Sequence, residues 1–311
     1  MDMVTWRQLK KYWRNIIKMN TVTVLLSTYN GEKFLKEQID SILSQSNVKI
    51  HIYARDDGSI DSTLDILNNY KINFYKGENI GPKNSFFDLI KNVEGTSEYY
   101  AFSDQDDIWD EDKLMIGIKS LEKYNLIPAV YFCERNIYKE GKVISKTDCN
   151  ELIRFPTVFF KSLAAGCTII LNKKMLFLLK KYTPIYTPMH DSWTILLASL
   201  FGKVIYDNVP HISYRIHENN AVGILEKKYR VTNFIRRQFT TNNYRRSFVA
   251  LDLLAGFSTE LSESKENYSF IKMMAKDSVL SRIKLFLYSK RYSKHIADEI
   301  AIRIQIIRGI I

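Results

Sequence analysis

The chain has 311 residues and a formal net charge of +11. Hydrophobic residues make up 46% and charged residues 25%, while glycine and proline are scarce, which excludes collagen-like, low-complexity and wholly disordered chains. The three cysteines, Cys133, Cys149 and Cys167, lack CxxC spacing, which argues against a disulfide framework or a zinc module and fits a reducing cytoplasm.

The first predicted element is a basic amphipathic helix over residues 1–20. Trp6 and Trp13 recur with aliphatic residues at helical spacing, between five basic residues. Tryptophan beside lysine is typical of a helix that lies on a membrane surface, and a solvated helix packed on the same chain is the alternative. No apolar run reaches the roughly 18 residues of a transmembrane helix, so no membrane span is expected.

The positive charge is confined to the two ends of the chain. Residues 1–20 carry a net +4 and residues 225–311 a net +9, which leaves −2 for the segment between them. A nucleic-acid enzyme would carry positive charge around its site, so no nucleic-acid partner is expected. The pattern predicts a peripheral protein whose ends meet an anionic surface while its centre carries the chemistry.

Strands and helices alternate from residue 21 onward. Apolar runs at 22–26, 50–54, 72–75 and 99–102 predict strands, with helical patterns between them, and this alternation is typical of a parallel sheet. Ligands bind at the carboxyl ends of such strands. Three of these ends are polar, at residues 27–30, 56–57 and 104–107.

The pattern becomes mixed after residue 125. Runs at 129–133 and 168–171 predict strands, 189–200 predicts a helix, and 204–206 and 212–214 predict two short strands. Beyond residue 225 the chain is predicted to be mostly helical. A basic cluster there, which is interleaved with aromatic residues, comprises Lys227, Lys228, Arg230, Arg236, Arg237, Arg245 and Arg246.

The chain has neither a GxxxxGK[ST] phosphate loop nor a GxGxxG motif. Carboxylates that hold a divalent cation are the alternative way to bind a nucleotide diphosphate. Asp104 and Asp106 follow a predicted strand, and clustered carboxylates repel one another unless a cation neutralises them. Oxygen ligands suit Mg²⁺ or Mn²⁺, so the acids predict a site for a divalent cation. An acidic loop that precedes a helix and binds no metal is the alternative.

Three motifs in this order resemble the family 2 glycosyltransferases with the GT-A fold: LLSTYNG at 25–31, RDDGSIDST at 55–63 and FSDQDD at 102–107. FSDQDDIW at 102–109 resembles the bacterial rhamnosyltransferase-like branch of that family. The resemblance covers roughly 21–224. It implies an α/β catalytic domain over 21–224 with a Rossmann-like, mostly parallel central sheet flanked by helices. The basic, mainly helical region predicted over 225–311 lies outside the resemblance.

The resemblance also implies roles for particular residues. The nucleotide-sugar would contact Thr28, Tyr29, Asn30, Asp57, Asn79, Gly81 and Asp104. The cation, Mn²⁺ or Mg²⁺, would be held by Asp106 and His217. Supporting roles would fall to Asp107, His190 and Arg215.

Asp191 corresponds to the catalytic base in this resemblance, although His190-Asp191 replaces the more common Glu-Asp pair. Inverting transfer needs one base that removes the proton of the acceptor hydroxyl, and a carboxylate can serve. The alternative is that Asp191 caps a helix, since Asp is a favoured N-cap residue.

The predicted function is an inverting, metal-dependent transfer of L-rhamnose from dTDP-rhamnose to a lipid-linked saccharide in cell-surface polysaccharide synthesis. A UDP-hexose such as UDP-galactose or UDP-glucose is the alternative donor. A nucleotidyltransferase and a non-catalytic saccharide- or membrane-binding scaffold are alternatives of other classes. The protein is expected at the cytoplasmic face of the membrane, and the C-terminal region is predicted to contact anionic lipid, with plain structure or homo-oligomerisation as its alternatives.

Overall fold

The computed structural model of the chain describes residues 19–217 and 246–310. Residues 1–18 of the predicted N-terminal helix and all of the basic cluster except Arg246 lie outside these residues. The predicted end of that helix at residue 20 is wrong, because Asn20 already belongs to a strand. None of the described helices combines the length and apolar composition that crossing a bilayer requires.

The first half of the sheet is parallel, in the order β3-β2-β1-β4. Val24 and Leu26 point to one face of β1 and Leu25 to the other, and all three are fully buried. Burial on both faces explains why this strand has an uninterrupted apolar run. The elements are β1 (Asn20–Thr28), α1 (Leu35–Leu43), β2 (Val48–Asp56), α2 (Thr63–Asn69), β3 (Asn73–Lys76), α3 (Gly81–Asn92) and β4 (Tyr99–Ser103).

The second half of the sheet is mixed. Within the described residues, nine strands form one sheet in the order β3-β2-β1-β4-β8-β6-β9-β5, with β7 beside β6. The added elements are β5 (Ile108–Trp109), α4 (Lys113–Leu121), β6 (Ala129–Lys139), β7 (Lys142–Lys146), α5 (Thr157–Phe160), β8 (Ile169–Asn172), α6 (Lys173–Lys180), α7 (His190–Phe201) and β9 (Lys203–Arg215).

The prediction of two short strands at 204–206 and 212–214 is wrong, because β9 is a single strand of 13 residues. It pairs in parallel with β6, and the register shifts twice near Glu134. These irregularities accommodate the polar stretch that contains Pro210, which interrupted the apolar pattern in the sequence. The end of β9 also pairs with β5, which carries Arg215 towards the acidic loop.

Four C-terminal helices pack on one face of the sheet. They are α8 (Arg246–Ser262), α9 (Lys265–Lys276), α10 (Val279–Phe286) and α11 (Ile296–Arg308). Phe257 and Phe270 belong to the same hydrophobic core as Trp193 of α7. Buried Asp252 of α8 accepts hydrogen bonds from the backbone N–H groups of Ile185 and Tyr186 at 3.1 and 2.7 Å, which fixes the segment before α7.

Candidate active site

The polar loops after β1 and β4 are joined by one side-chain amide. Gln105 Nε2 donates to the carbonyl of Tyr29 at 2.9 Å, and the backbone N–H of Tyr29 donates to Gln105 Oε1 at 2.8 Å. A Cβ at Gly31 would clash with the Gln105 amide, so a larger residue there would displace this side chain from Tyr29. The sequence analysis missed Gln105, although its position between Asp104 and Asp106 was a signal.

The loops after β1 and β2 are also joined. The N–H of Asn30 donates to Ser59 Oγ at 2.9 Å, and Asn30 Oδ1 accepts from the N–H of Ile60 at 3.0 Å. Thr28 Oγ1 donates to Asp56 Oδ1 at 3.1 Å. Thr28 and Asn30 therefore shape the loop, while the Tyr29 ring is 46% exposed and can stack on a planar ligand.

Asp57 holds the predicted donor-site segment 79–81 beside the end of β2. Its carboxylate pairs with Arg55 and accepts hydrogen bonds at 2.9 Å from the N–H groups of Ile80 and Gly81. Gly81 has a φ of +79°, a conformation that favours glycine. The structure thus brings Asp57 and this segment together, and their contact with a nucleotide stays a prediction.

The loop after β4 is a cluster of carboxylates. Burial, and after it the charges of Asp106 and Asp191, raise the pKa of Asp104 to about 7. Burial also raises the pKa of Asp107 well above its ordinary range. Asp107 Oδ2 is buried with no hydrogen-bond partner among the described residues. This accumulation of poorly compensated carboxylates suits a divalent cation.

The structure brings both His217 and Arg215 to this acidic loop. His217 Nε2 lies 2.7 Å from Asp106 Oδ2. Arg215 Nε donates to the backbone carbonyl of Asp106 at 2.9 Å, and its own N–H donates to Asp107 Oδ1 at 3.3 Å. Arg215 therefore fixes the loop, while an imidazole and a carboxylate at hydrogen-bond distance offer two adjacent ligand atoms.

A second set of candidate ligand atoms lies deeper. Atoms of Asp104, Asp107 and Cys167 lie within 4.8 Å of one another. Burial raises the pKa of the Cys167 thiol well above its usual value, and a protonated thiol is a poor ligand for Mg²⁺ or Mn²⁺. The thiol is therefore the weakest of these three candidate ligands, and the assignment of the cation to Asp106 and His217 stays a prediction.

Asp191 is the second residue of α7. The N-cap position belongs to Met189, so the alternative interpretation of Asp191 as the helix cap is wrong. Burial raises the pKa of Asp191, although hydrogen bonds from the N–H and hydroxyl of Ser192 oppose this shift. Since its charge also acts on Asp104, the predicted base lies next to the acidic loop.

His190 lies in an aromatic environment. Its ring stacks on Phe86 with centroids 3.9 Å apart and meets Phe102 edge-on at 4.7 Å. Burial lowers the pKa of the ring to about 3, so the ring is neutral at neutral pH. Neither ring nitrogen has a hydrogen-bond partner among the described residues. We infer that His190 packs behind Asp191 and supports it sterically.

Arg135 of β6 is a charged residue that the sequence analysis missed. The positive charge of its guanidinium lowers the pKa of both Asp104 and Asp191. The guanidinium lies 4.4 Å from the centroid of the Tyr214 ring. Within the described part of the chain, no carboxylate comes within ion-pair distance of it. No motif pointed to Arg135, because only the sheet brings it to the site.

Residues 23–177, about half of the chain, match the family described as Glycosyl transferase family 2. The chain is 27% identical to the dTDP-rhamnosyl transferase RfbG of Shigella flexneri, over 92% of this chain and 100% of that protein. The chain belongs to glycosyltransferase family 2. The predicted family and enzyme class are confirmed.

Solved structures confirm the predicted fold of this family 2 glycosyltransferase. Staphylococcus aureus TarS 1-349 in complex with UDP-GlcNAc has a TM-score of 0.54 and 16% identity, over 93% of this chain and 82% of that one. The fold is thus GT-A-like, with helices on both sides of a mixed, mostly parallel sheet. An uncharacterized glycosyltransferase of Rickettsia typhi is 29% identical over 68% of this chain and 71% of that protein.

Lys113, at the first position of α4, is a fully buried cation of this glycosyltransferase behind the acidic loop. Its Nζ lies 3.1 Å from the centroid of the Trp109 ring and has no hydrogen-bond partner among the described residues. Burial lowers the pKa of the ammonium to about 8, although the charges of Asp107 and Asp110 oppose this shift. A buried charge without a hydrogen bond costs stability.

Replacing Lys113 with methionine is expected to raise the free energy of unfolding by roughly 1–3 kcal/mol at neutral pH, because an apolar chain fills the same space without desolvating a charge. Wild-type stability should also gain as pH rises from about 8 to 10.5, where the unfolded lysine binds more protons than the folded one. The variant should lack this gain. Urea unfolding near pH 8 and pH 10.5 measures the free energy of unfolding of both proteins. Lys119→Met, at an exposed position of the same helix, is the control. A less stable Lys113→Met would contradict the prediction.

Proposed function

We propose that this enzyme transfers a sugar from a nucleotide-diphospho-sugar with inversion at the anomeric carbon. The observation that carries the proposal is the placement of Asp191 next to the acidic loop of Asp104 and Asp106, within the electrostatic reach of Arg135. One base and one charge-neutralising group are enough for a single displacement, without a covalent enzyme intermediate.

In the proposed reaction, Asp191 accepts the proton of the acceptor hydroxyl. The acceptor oxygen forms a bond to the anomeric carbon, while the bond from that carbon to the diphosphate oxygen breaks on the opposite face. The bonding electrons leave with the nucleoside diphosphate. When bound by Asp106 and His217, Mn²⁺ or Mg²⁺ would neutralise charge on the diphosphate.

Burial and charge suit Asp191 to this role. A raised pKa makes the carboxylate a stronger base than an exposed aspartate. Efficient proton transfer needs a base whose pKa lies close to the working pH. The charge of Arg135 acts in the opposite direction and favours the ionised form of Asp191. On the donor side, the exposed ring of Tyr29 would stack on the base, and the segment held by Asp57 would line the sugar nucleotide.

We propose dTDP-rhamnose as the donor and a lipid-linked saccharide as the acceptor. The donor is supported by the similarity to the dTDP-rhamnosyl transferase RfbG over nearly the whole chain. UDP-linked sugars are the competing donors, supported by the fold shared with TarS, whose crystal structure contains UDP-GlcNAc. We further propose that residues 21–224 contain the catalytic site and that the enzyme works at the cytoplasmic face of a membrane.

Calorimetric titration of the purified protein with dTDP, UDP and GDP, with and without Mn²⁺, tests the donor. We expect dTDP to bind at least about tenfold more tightly than UDP, a difference of about 1.4 kcal/mol, and only when Mn²⁺ is present. Tighter binding of UDP would move the assignment to a UDP-hexose. Absence of metal-dependent binding for all three nucleotides, with or without an added saccharide acceptor, would contradict the donor site and favour a scaffold.

A further inference from the structure

The last two helices expose a continuous set of large apolar side chains, which we call the C-terminal apolar face. On α11 its members recur every three or four residues and so form one stripe along the helix. Helix α10, which packs against α11, and Leu287 directly after α10 contribute the others. The C-terminal apolar face comprises Val279, Leu280, Ile283, Phe286, Leu287, Ile296, Ile300, Ile304 and Ile307.

Both helices are apolar on two sides. Leu285 and Ile302 are buried and contribute to the main hydrophobic core, so the helices are held in place without using the exposed face. Val279 is 72% exposed, and Leu287 and Ile296 are each 71% exposed. Single exposed aliphatic residues are ordinary, but a contiguous patch on two neighbouring helices marks an interaction surface.

The charge around this face is positive. Between residues 277 and 308 the chain has seven basic and three acidic residues. All three acids form ion pairs: Asp277 with Arg282, Asp298 with Lys161, and Glu299 with Arg303. Neighbouring Lys284 and Lys294 are exposed.

We propose that the C-terminal apolar face docks on an anionic lipid surface. Aliphatic side chains would enter the interface between headgroups and acyl chains, and the surrounding lysines and arginines would meet anionic headgroups. A second copy of the chain is a poorer occupant, because a twofold interface would bring the same positive charges against one another.

The position of the face relative to Asp191 fits this partner. The start of α11 is tied to both sides of α5, since Lys161, directly after α5, pairs with Asp298 of α11 and with Glu151 before α5. The residue after Lys161, Ser162, has its Oγ 2.9 Å from that of Ser192, beside Asp191. Docking through α11 would thus orient the catalytic helix relative to the lipid surface. This inference adds to the proposed function, and its test uses neither donor nor acceptor, so the two can fail separately.

Co-sedimentation of the full chain with vesicles tests the proposal. The vesicles consist of phosphatidylcholine alone or mixed with phosphatidylglycerol. The double variant Ile300→Asp/Ile304→Asp is expected to lower the partition coefficient on the mixed vesicles at least about tenfold, because two exposed aliphatic side chains that would enter the lipid are lost and two negative charges are added. Leu126→Asp, at a position that is 90% exposed and lies outside the face, is the matched control and should partition like the wild type.

The single variant Ile296→Asp gives a second measure if the double variant does not fold, because an acid in the first turn of α11 favours the helix. It should lower partition at least about threefold. Unfolding midpoints and light scattering accompany each titration. Unchanged partition of the folded variants on the mixed vesicles would overturn the proposal. So would a wild-type dimer that Ile300→Asp/Ile304→Asp dissociates without a change in lipid binding, because a second copy would then be the occupant.

Discussion

Replacing Asp191 with asparagine is expected to lower kcat about a thousandfold or more, while the Kd for the nucleotide-sugar changes by less than about threefold. The amide occupies nearly the same volume but cannot accept the proton of the acceptor hydroxyl. The donor site, in contrast, is expected to be built from the loops after β1, β2 and β4. Initial rates with a saccharide acceptor and calorimetric titration of the donor measure the two effects.

Two further measurements separate catalysis by Asp191 from a structural role. Ser192→Ala removes the hydroxyl that donates to Asp191 but leaves the carboxylate, so it should retain most of the activity. Since burial raises the pKa of Asp191, the acidic limb of the wild-type kcat/KM profile should lie above the ordinary range of aspartate. Loss of donor affinity equal to the loss of activity would remove Asp191 from the role of base.

Although Asp191→Asn should lose activity, it should be more stable than the wild type at neutral pH. A carboxyl whose pKa is raised on folding costs stability when it is ionised, and this cost disappears as pH falls through the folded pKa. The asparagine variant should therefore unfold at a higher temperature than the wild type at neutral pH, and the difference should shrink at acidic pH. Such a gain in stability with a loss of activity is typical of a residue retained for catalysis.

Replacing Asp106 with alanine is expected to weaken Mn²⁺-dependent nucleotide binding at least about tenfold and to lower transfer activity further. The carboxylate lies 2.7 Å from the His217 ring, so its removal takes away one of two adjacent ligands. Nucleotide binding without metal should be unchanged. Calorimetric titration of nucleotide at several Mn²⁺ concentrations gives the coupling between the two ligands.

Asp107→Asn is the matched contrast for Asp106. Asp107 is almost completely buried, and its Oδ1 accepts from the N–H of Arg215. An amide oxygen can keep this hydrogen bond, so metal-dependent binding should stay within about threefold of the wild type. If Asp107→Asn loses metal-dependent binding while Asp106→Ala keeps it, the cation belongs instead to the deeper group of Asp104, Asp107 and Cys167.

The order of strands and polar loops followed from local patterns. The apolar run at 22–26 reflects the burial of β1 on both faces, and the acids after residue 103 mark the point where β4 ends. Both are features of short segments and can be read without knowing the fold. For the same reason the GT-A-like fold and the family could be recognised from three motifs. The prediction of two short strands in place of β9 was wrong. Pro210 interrupts the apolar pattern of the sequence, but β9 continues past it because it stays paired with β6 on both sides.

The residues that complete the candidate site depend on contacts between distant segments. Gln105 is tied to Tyr29 across 76 residues, and His217 meets Asp106 across 111 residues. The second contact exists because β9 pairs with β5, with Ser213 opposite Ile108. The charge of Arg135 acts on Asp104 and Asp191 from β6, at a position that no local pattern marks.

Sequence alone thus determined the family, the fold class and the acids that carry the predicted chemistry, because strand periodicity and motif spacing are local. Tertiary structure alone decided which acids are near one another, which accept hydrogen bonds from the backbone, and which cation lowers the pKa of both Asp104 and Asp191. It also showed that α10 and α11 retain an exposed apolar side after packing on the core. These contacts and exposures depend on which distant residues become neighbours and how deeply each is buried. Both are set by the order of the strands in the sheet and by how the helices cover it.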